Sequence, residues 1–586
     1  MSNISGKAFD FNLLKRVLAY TKPYKIVFIL TIISTILLAI LSPLRPWLIQ
    51  YTIDNYVAIP NAKQLFIMVL LMISLLILES IIQFFYTYYT NWLGQNVIKD
   101  LRINLFRHIL NFRLKYFDNT PIGTLVTRVI SDIEAIADIF SEGLLVMIGD
   151  LLKILAVIIF MLYADVKLTL VSLSVLPILF WATSWFQKSI KKAFQDVRTQ
   201  IAQLNSFVQE HISGMSVVQI FNREEIEFEK FKAINAKHRD ANIDSIWYYS
   251  IFFPIVELLL AASIGLLVWW GAGSVIKNEV SLGTLIAFIL YIHMLFRPIR
   301  ELADKFNTLQ MGMVAGDRVF KILNTHESIK NTGRLKMDNV KGNIDFQNVW
   351  FAYNNDDWVL KNVSFSIPEG KSLALVGPTG AGKTSVINLF GRYYEYQKGK
   401  ILVDDHDLRE YEISSIRKNI AFVLQDVFLF SDTIANNISL NDPKITREEI
   451  IEAAKTVGAH NFIMNLPGNY DFNVMERGSM LSVGQRQLIA FIRAYVQNPK
   501  ILVLDEATSS VDTETEQLIQ QATNKLTENR TSIIIAHRLA TIQKVDKIIV
   551  LDQGEVIEQG SHQELLKQNG KYKRLFELQF NGNNFN

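Results

Sequence analysis

The sequence predicts two unlike folds in one chain. The first is a membrane domain of six spanning α-helices with long cytoplasmic extensions; an α/β nucleotide-binding domain follows it. Three observations carry this. Six charge-poor apolar runs lie before residue 300, most of them close to the ~20 residues that cross a bilayer at 1.5 Å rise per residue. From Gly342 the pattern changes to short β-rich runs alternating with helical ones, the rhythm of an α/β domain. Within that second part a glycine-rich loop, Gly377 to Thr384, stands between a strand-like and a helix-like run.

Composition agrees with this division. The chain has 586 residues, too many for one ordinary core. Half are apolar, 20% are charged and the mean hydropathy is +0.20, too oily for a soluble enzyme of this length. The net charge of +3 is spread along the chain, which argues against a nucleic-acid partner. There is no cysteine, so a disulfide framework, a thiolate metal site and a cysteine nucleophile are excluded. Met1 to Asp10 lacks the features of a signal peptide, so the first apolar run is expected to stay in the membrane. The expected boundaries are a transmembrane domain over 1–324, a polar linker over 325–341, a nucleotide-binding domain over 342–580 and a tail over 581–586.

Taken in order, the predicted spans are Ile26–Leu44, Gln64–Ile98 (interrupted only by Glu79), Gly143–Ala164, Leu168–Gln187, Ser245–Ile276 and Val280–Phe296. Before them, Phe9–Tyr20 alternates apolar and basic residues at helical spacing, as a helix lying in the membrane interface would. Lys and Arg gather before the first span, between the second and third, and between the fourth and fifth. The positive-inside bias then puts these segments and both termini on the cytoplasmic side of a plasma (inner) membrane. The two long inside segments are helix-patterned and are expected to continue the spans into the cytoplasm. Each is broken once, at Phe117–Gly123 and at Ser213-Gly214, as a connector touching another domain or an ordinary turn would be. Lys153 and Glu257 fall inside spans, where ionisable groups serve a substrate or pair with each other. The aromatics of Phe84–Tyr89 and Trp269-Trp270 suit either a cavity wall or an interfacial belt.

The second half carries the chemistry. Gly377-Pro378-Thr379-Gly380-Ala381-Gly382-Lys383-Thr384 follows the apolar run Ser372–Val376 and precedes the helix-like Ser385–Phe390. Glycines let backbone N–H groups wrap phosphates, and the following helix N-terminus adds its positive dipole end. Lys383 is placed for the β- and γ-phosphates and the Thr384 hydroxyl for Mg²⁺. A second apolar strand, Ile501–Leu504, ends in Asp505-Glu506. Asp505 suits Mg²⁺, and Glu506 suits a general base acting on the attacking water.

These residues resemble the ATP-binding cassette (ABC) superfamily. The discriminating segment is Leu481-Ser482-Val483-Gly484-Gln485-Arg486-Gln487, close to the family signature. Gln425 resembles the Q-loop glutamine, Ser509-Ser510-Val511-Asp512 the D-loop, His537 the switch histidine and Tyr353 the aromatic that stacks on adenine. Six spans ahead of one cassette resemble the exporter half-transporters of the multidrug and lipid-flippase type. Phe117–Asp132 and Glu210–Phe221 resemble that family's two coupling regions.

The resemblance implies ATP and Mg²⁺ as cofactors. Glu506, His537 and Gln425 become the catalytic set; Thr384, Gln425 and Asp505 the metal set. Tyr353, the loop Gly377 to Thr384, Ser482, Gly484, Gln485 and Asp512 become the nucleotide contacts. It also implies a second half-transporter whose signature closes over this chain's ATP, and an amphipathic small molecule or lipid as the substrate. An ATP-gated, non-pumping regulator is the alternative function. Val483 replaces the first glycine of the usual signature, adding bulk and restricting the backbone. An altered signature beside intact Asp505, Glu506 and His537 resembles one half of a heterodimeric exporter. That reading stands ahead of a homodimer that tolerates Val483.

Overall fold

The computed structural model describes residues 11–328, 331, 333–337, 340–354, 357–505, 513–536 and 539–580; Glu506, Asp512 and His537 lie outside them. The chain divides into two compact units, one of residues 1–110 and 120–326, the other of 111–119 and 327–586.

The first unit is helical. Among the described residues, six of its helical stretches are long and apolar enough to cross a membrane, one for each predicted run. They comprise α2 (Lys25–Thr52), α3 (Ala62–Leu110), α7 (Leu144–Ala164), α8 with α9 (Val166–Leu173 and Leu176–Ser213), α11 (Glu224–Ile276) and α12 (Leu282–Leu323). At 1.5 Å per residue the 53 residues of α11 extend about 80 Å, well over twice a bilayer core. The apolar runs therefore do continue into long polar helices. The predicted interfacial helix is α1 (Phe11–Ala19), and its apolar side is covered by protein: Leu13, Leu14 and Val17 are buried. Its Arg16 guanidinium lies 4.2 Å from the Phe320 ring centroid and donates to Asn324 at 2.9 Å, which fixes α1 on the end of α12.

Two close approaches hold α12 in place. At its start Ser281 caps the helix, and Asp54 accepts from the Ser281 hydroxyl at 2.6 Å and the Gly283 amide at 2.9 Å. A Cβ on Gly283 would meet the Gln50 carbonyl at 2.5 Å, so the position requires glycine. Further along, a Cβ on Gly312 would stand 2.6 Å from the Ala135 carbonyl of α6 (Ser131–Asp138). Short helix α5 (Ile122–Val129) follows the first predicted break and α10 (Met215–Ile220) the second; α4 (Leu114–Asn119), which runs into the first, belongs to the second unit.

The second unit is the α/β domain. A six-stranded sheet has the order β10-β9-β3-β8-β7-β6: β3 is Ser372–Val376, β6 Ile420–Val423, β7 Ile501–Asp505, β8 Thr531–Ile535, β9 Lys547–Asp552 and β10 Glu555–Gly560. All its pairings are parallel except β9 with β10. Its strands are apolar on both faces because both faces are covered. Leu502, Leu504, Ile534 and Val550 enter one core; Ile501, Val503, Ile533 and Ile549 enter the other. A four-stranded antiparallel sheet, β2-β1-β4-β5, covers the second core with β1 Ile344–Ala352, β2 Trp358–Ile367, β4 Lys398–Val403 and β5 His406–Asp407.

Candidate functional site: a phosphate loop and its carboxylate

Strand register builds the site. Asp505, the last residue of β7, pairs with Ile535 of β8, and Ile535 pairs with Leu375 of β3. The carboxylate and the start of the Gly377 loop therefore reach the same edge of the parallel sheet, where α/β folds hold ligands. β6 pairs in register with β7, Val423 opposite Leu504, which brings Gln425 to that edge two residues later. β8 ends there too, at Ile535.

The loop has the shape of an anion cradle. Gly382 has φ +102° and leads into α13 (Lys383–Phe390), whose first amides have no acceptor within the helix. A Cβ on Gly377 would meet the Leu551 carbonyl at 2.2 Å. The Lys383 ammonium donates to the carbonyls of Gly377 at 2.6 Å and Pro378 at 3.1 Å, which sets a buried cation inside the loop. Burial pulls the Lys383 ammonium below its ordinary value, against the opposing pull of Asp505. Burial pushes the Asp505 carboxyl up; Lys383 opposes this and the neighbouring Asp426 adds to it. Pro378, Thr379, Gly380 and Thr384 are exposed at the mouth, while Ala381 is buried beneath. A wrapped backbone, a buried cation and a buried carboxylate fit a nucleotide phosphate chain and a divalent cation.

Tyr353 stands against α13. Its hydroxyl is 3.1 Å from the Ser385 hydroxyl and accepts from Asn388 at 3.2 Å; its ring packs edge-on against Phe351 and Tyr394. The signature segment opens a helix, Val483–Val496. Ser482 caps it by accepting from the Gln485 amide, and the Gln485 side chain accepts from the Ser482 amide in return. Gly484 is buried, and Arg486 donates to the Leu481 carbonyl at 2.9 Å. Val483 is the first helical residue, has no positive φ, and is 48% exposed. The backbone at Val483 is thus ordinary first-turn helix, and its side-chain bulk lies at the surface. Accordingly, Val483→Gly is expected to lower the unfolding free energy by less than ~1 kcal/mol while raising ATP turnover of the purified chain. A large loss of stability would contradict the first-turn placement.

Three features escaped the sequence. Asp426 lies near enough to Asp505 to help raise its carboxyl, and its sequence signal is its place after Gln425. Residues 111–119 belong to the second unit. There Lys115 donates to the Tyr353 carbonyl at 2.9 Å, Arg113 pairs with Glu327 at 2.5 Å, and the Tyr394 hydroxyl donates to Asp118. Burial and the Asp118 carboxylate together push the Tyr394 hydroxyl well above its usual value. The third feature lies in the helical unit. Lys153 and Glu257 line one cavity of about 930 Å³ with Arg45, Glu79, Asp150 and Arg297, and the Lys305 ammonium bonds Asp150 at 2.6 Å and Glu301 at 2.9 Å nearby.

Comparison with known proteins decides the family. Residues 28–299 match the ABC transporter transmembrane region, and residues 360–509 match the ABC transporter domain. The chain belongs to the ABC transporter family. This half-transporter is 36% identical to the ABC transporter ATP-binding protein YknV of Bacillus subtilis (strain 168), over 98% of this chain and 96% of the relative. It is likewise 36% identical to YgaD of the same organism, named as a multidrug export ATP-binding/permease protein, over 97% and 99%. It is 32% identical to an ATP-dependent lipid A-core flippase of Syntrophus aciditrophicus (strain SB), over 97% and 95%. The half-transporter is therefore a multi-pass, ATP-binding and ATP-hydrolysing ABC exporter, with the membrane region fused ahead of the cassette.

Proposed function

We propose that this half-transporter exports amphipathic small molecules or lipids by alternating access, in a pair of half-transporters whose cassettes close on two ATP molecules. The observation that carries the reading is the cradle of Gly377, Gly382 and buried Lys383 beside buried Asp505, fused to six apolar spans. Lys383 neutralises phosphate charge, and the first amides of α13 donate to phosphate oxygens. Thr384, Gln425 and Asp505 would hold Mg²⁺, which supplies counter-charge for the phosphates. Glu506 takes the proton of the attacking water, and His537 holds the hydrolytic geometry. Tyr353 supports the adenine. Ser482, Gly484, Gln485 and Asp512 of one cassette complete the site of the other.

The half-transporter resides in the plasma (inner) membrane with the cassette and both termini in the cytoplasm, in accord with its Lys/Arg bias. The exposed apolar residues Ile212, Val217, Ile220 and Phe221 around α10 suit docking on the partner's cassette, which supports a paired assembly. The Lys115 and Asp118 contacts suit transmission of closure to α3 and α5, on either side of α4. Mixed charge in the 930 Å³ cavity favours amphiphiles that carry charge over neutral ones.

The test is Mg-ATP hydrolysis by this chain alone in lipid nanodiscs, beside a Glu506→Gln control. Turnover well above the control identifies a working homodimer. ATP binding without turnover identifies a heterodimer that lacks its other half. Absence of ATP binding contradicts the reading.

A further inference from the structure

The second coupling region is closed at its base by a pair of side chains. α9 ends at Ser213 and α11 begins at Glu224; residues 214–223 between them contain α10. His211 stands in the last turn of α9 and Glu227 in the first turn of α11. Their side chains meet at 2.8 Å, from the imidazole Nε2 to a carboxylate oxygen. Beside this contact Phe207 of α9 packs on Phe231 of α11, with ring centroids 6.2 Å apart. The exposed Ile212, Val217, Ile220 and Phe221, proposed above to dock on a partner's cassette, lie in the sequence between these two anchors.

Geometry sets the charge of the imidazole. Its Nδ1 is 2.7 Å from the Phe207 carbonyl oxygen while Nε2 is 2.8 Å from Glu227. A carbonyl and a carboxylate only accept, so both ring nitrogens must donate, which the imidazolium alone can do. The ring also stacks on Phe207, centroids 3.7 Å apart at 17°, and the electron-rich face of that ring favours a cation. A cation in the last turn of one helix and a carboxylate in the first turn of the next complement both helix dipoles. Among the described residues, the charged groups acting on His211 are Glu227 and Glu210, with Lys230 held on Glu227 at 2.8 Å; α10 has no ionisable side chain. The Glu227 contact first, then the Phe207 carbonyl and the charge of Glu210, raise the imidazole above its ordinary value against the opposing effect of burial. Lys230 and His211 hold Glu227 below the usual carboxylate range, so the histidine is the member of the pair that titrates near neutral pH.

We propose that the His211–Glu227 pair is a pH-sensitive staple, which holds the second coupling region at its base while His211 is protonated and releases it on deprotonation. A histidine raised in the folded chain stabilises fully below its unfolded value and stops doing so as pH rises through the folded one. The staple is therefore closed in mildly acidic solution and lost as the pH climbs past that raised value. Deprotonation turns a ring-nitrogen lone pair toward an acceptor oxygen, and the segment 212–226 opens more readily from the two helix ends. On the docking reading, α10 then seats less often on the partner's cassette and ATP turnover falls. That consequence rests on the proposed docking; the staple itself does not.

The experiment is hydrogen exchange of the full chain in lipid nanodiscs, read by mass spectrometry from about pH 6 to about pH 9 and divided by the intrinsic exchange rate. Protection of residues 212–226 is expected to fall by about twofold to fivefold across this range, the effect of one ion pair near the surface. His211→Gln, which carries no charge, should show the lower protection at every pH. Glu227→Gln should move the fall to lower pH, because the group that raises the imidazole most is gone. Protection that is constant in wild type, or that falls equally in His211→Gln, overturns the staple. Coupling is read from ATP turnover of wild type divided by that of His211→Gln, so that other titrating groups cancel. The ratio should exceed one at low pH and approach one at high pH. A constant ratio beside pH-dependent exchange overturns control through docking and leaves ATP-driven export standing. Absence of turnover at every pH, even with a partner half supplied, counts against the export reading, while the exchange result still decides the staple.

Discussion

Glu506→Gln is expected to bind ATP with near-wild-type affinity and to hydrolyse it about 10³-fold more slowly. The substitution keeps the size of the side chain and removes the charge that accepts a proton from the attacking water. The phosphate cradle stays intact, because Lys383, Gly377 and Gly382 hold their places through β3, α13 and the loop itself. ATP-bound, closed cassette pairs should therefore accumulate. Radiolabelled ATP retention after rapid desalting, beside phosphate release, measures both halves of the claim. Turnover within a few-fold of wild type would remove Glu506 from the role of base.

Lys383→Ala is expected to fail one step earlier. The buried ammonium is set inside the loop by contacts to two loop carbonyls. Charge-assisted contacts to phosphate are worth about 1.5–3 kcal/mol each. Losing them should weaken ATP binding by roughly 100-fold, and with it hydrolysis at ordinary ATP concentrations. Fluorescent-nucleotide titration measures this directly. The two variants then separate cleanly: one holds ATP without using it, and the other does not hold it. Equal ATP affinity in Lys383→Ala and wild type would contradict the placement of this cation at the phosphates.

The sequence was informative wherever a residue's type is forced by local geometry or by bulk apolarity. The spans were legible because hydropathy over ~20 residues needs no knowledge of packing. Even α7, which carries Asp150 and Lys153, was legible as a span. Its charges make sense only in three dimensions, where Lys305, 155 residues away, bonds Asp150. The phosphate loop was legible because Gly382 adopts a φ that side chains resist. What escaped was long-range. Nothing local marks Lys115 as a partner of Tyr353, 238 residues on; Asp118 lies in the break expected to touch another domain, but nothing local names Tyr394 as its partner. Val483 shows the opposite failure. A glycine in a signature invites an argument from backbone freedom, yet this position is an ordinary first turn in which a β-branched residue fits.

Pumping, as opposed to ATP-controlled gating, is tested most directly by accumulation against a gradient. The half-transporter, alone or with its partner half, is reconstituted with cassettes outward in liposomes containing a panel of fluorescent amphipathic dyes and labelled phospholipids. Mg-ATP is then added outside. The account predicts ATP-dependent accumulation of at least one probe beyond equilibrium, abolished by Glu506→Gln. Faster equilibration that never exceeds equilibrium, and that Glu506→Gln supports as well as wild type, would contradict it and identify a gate.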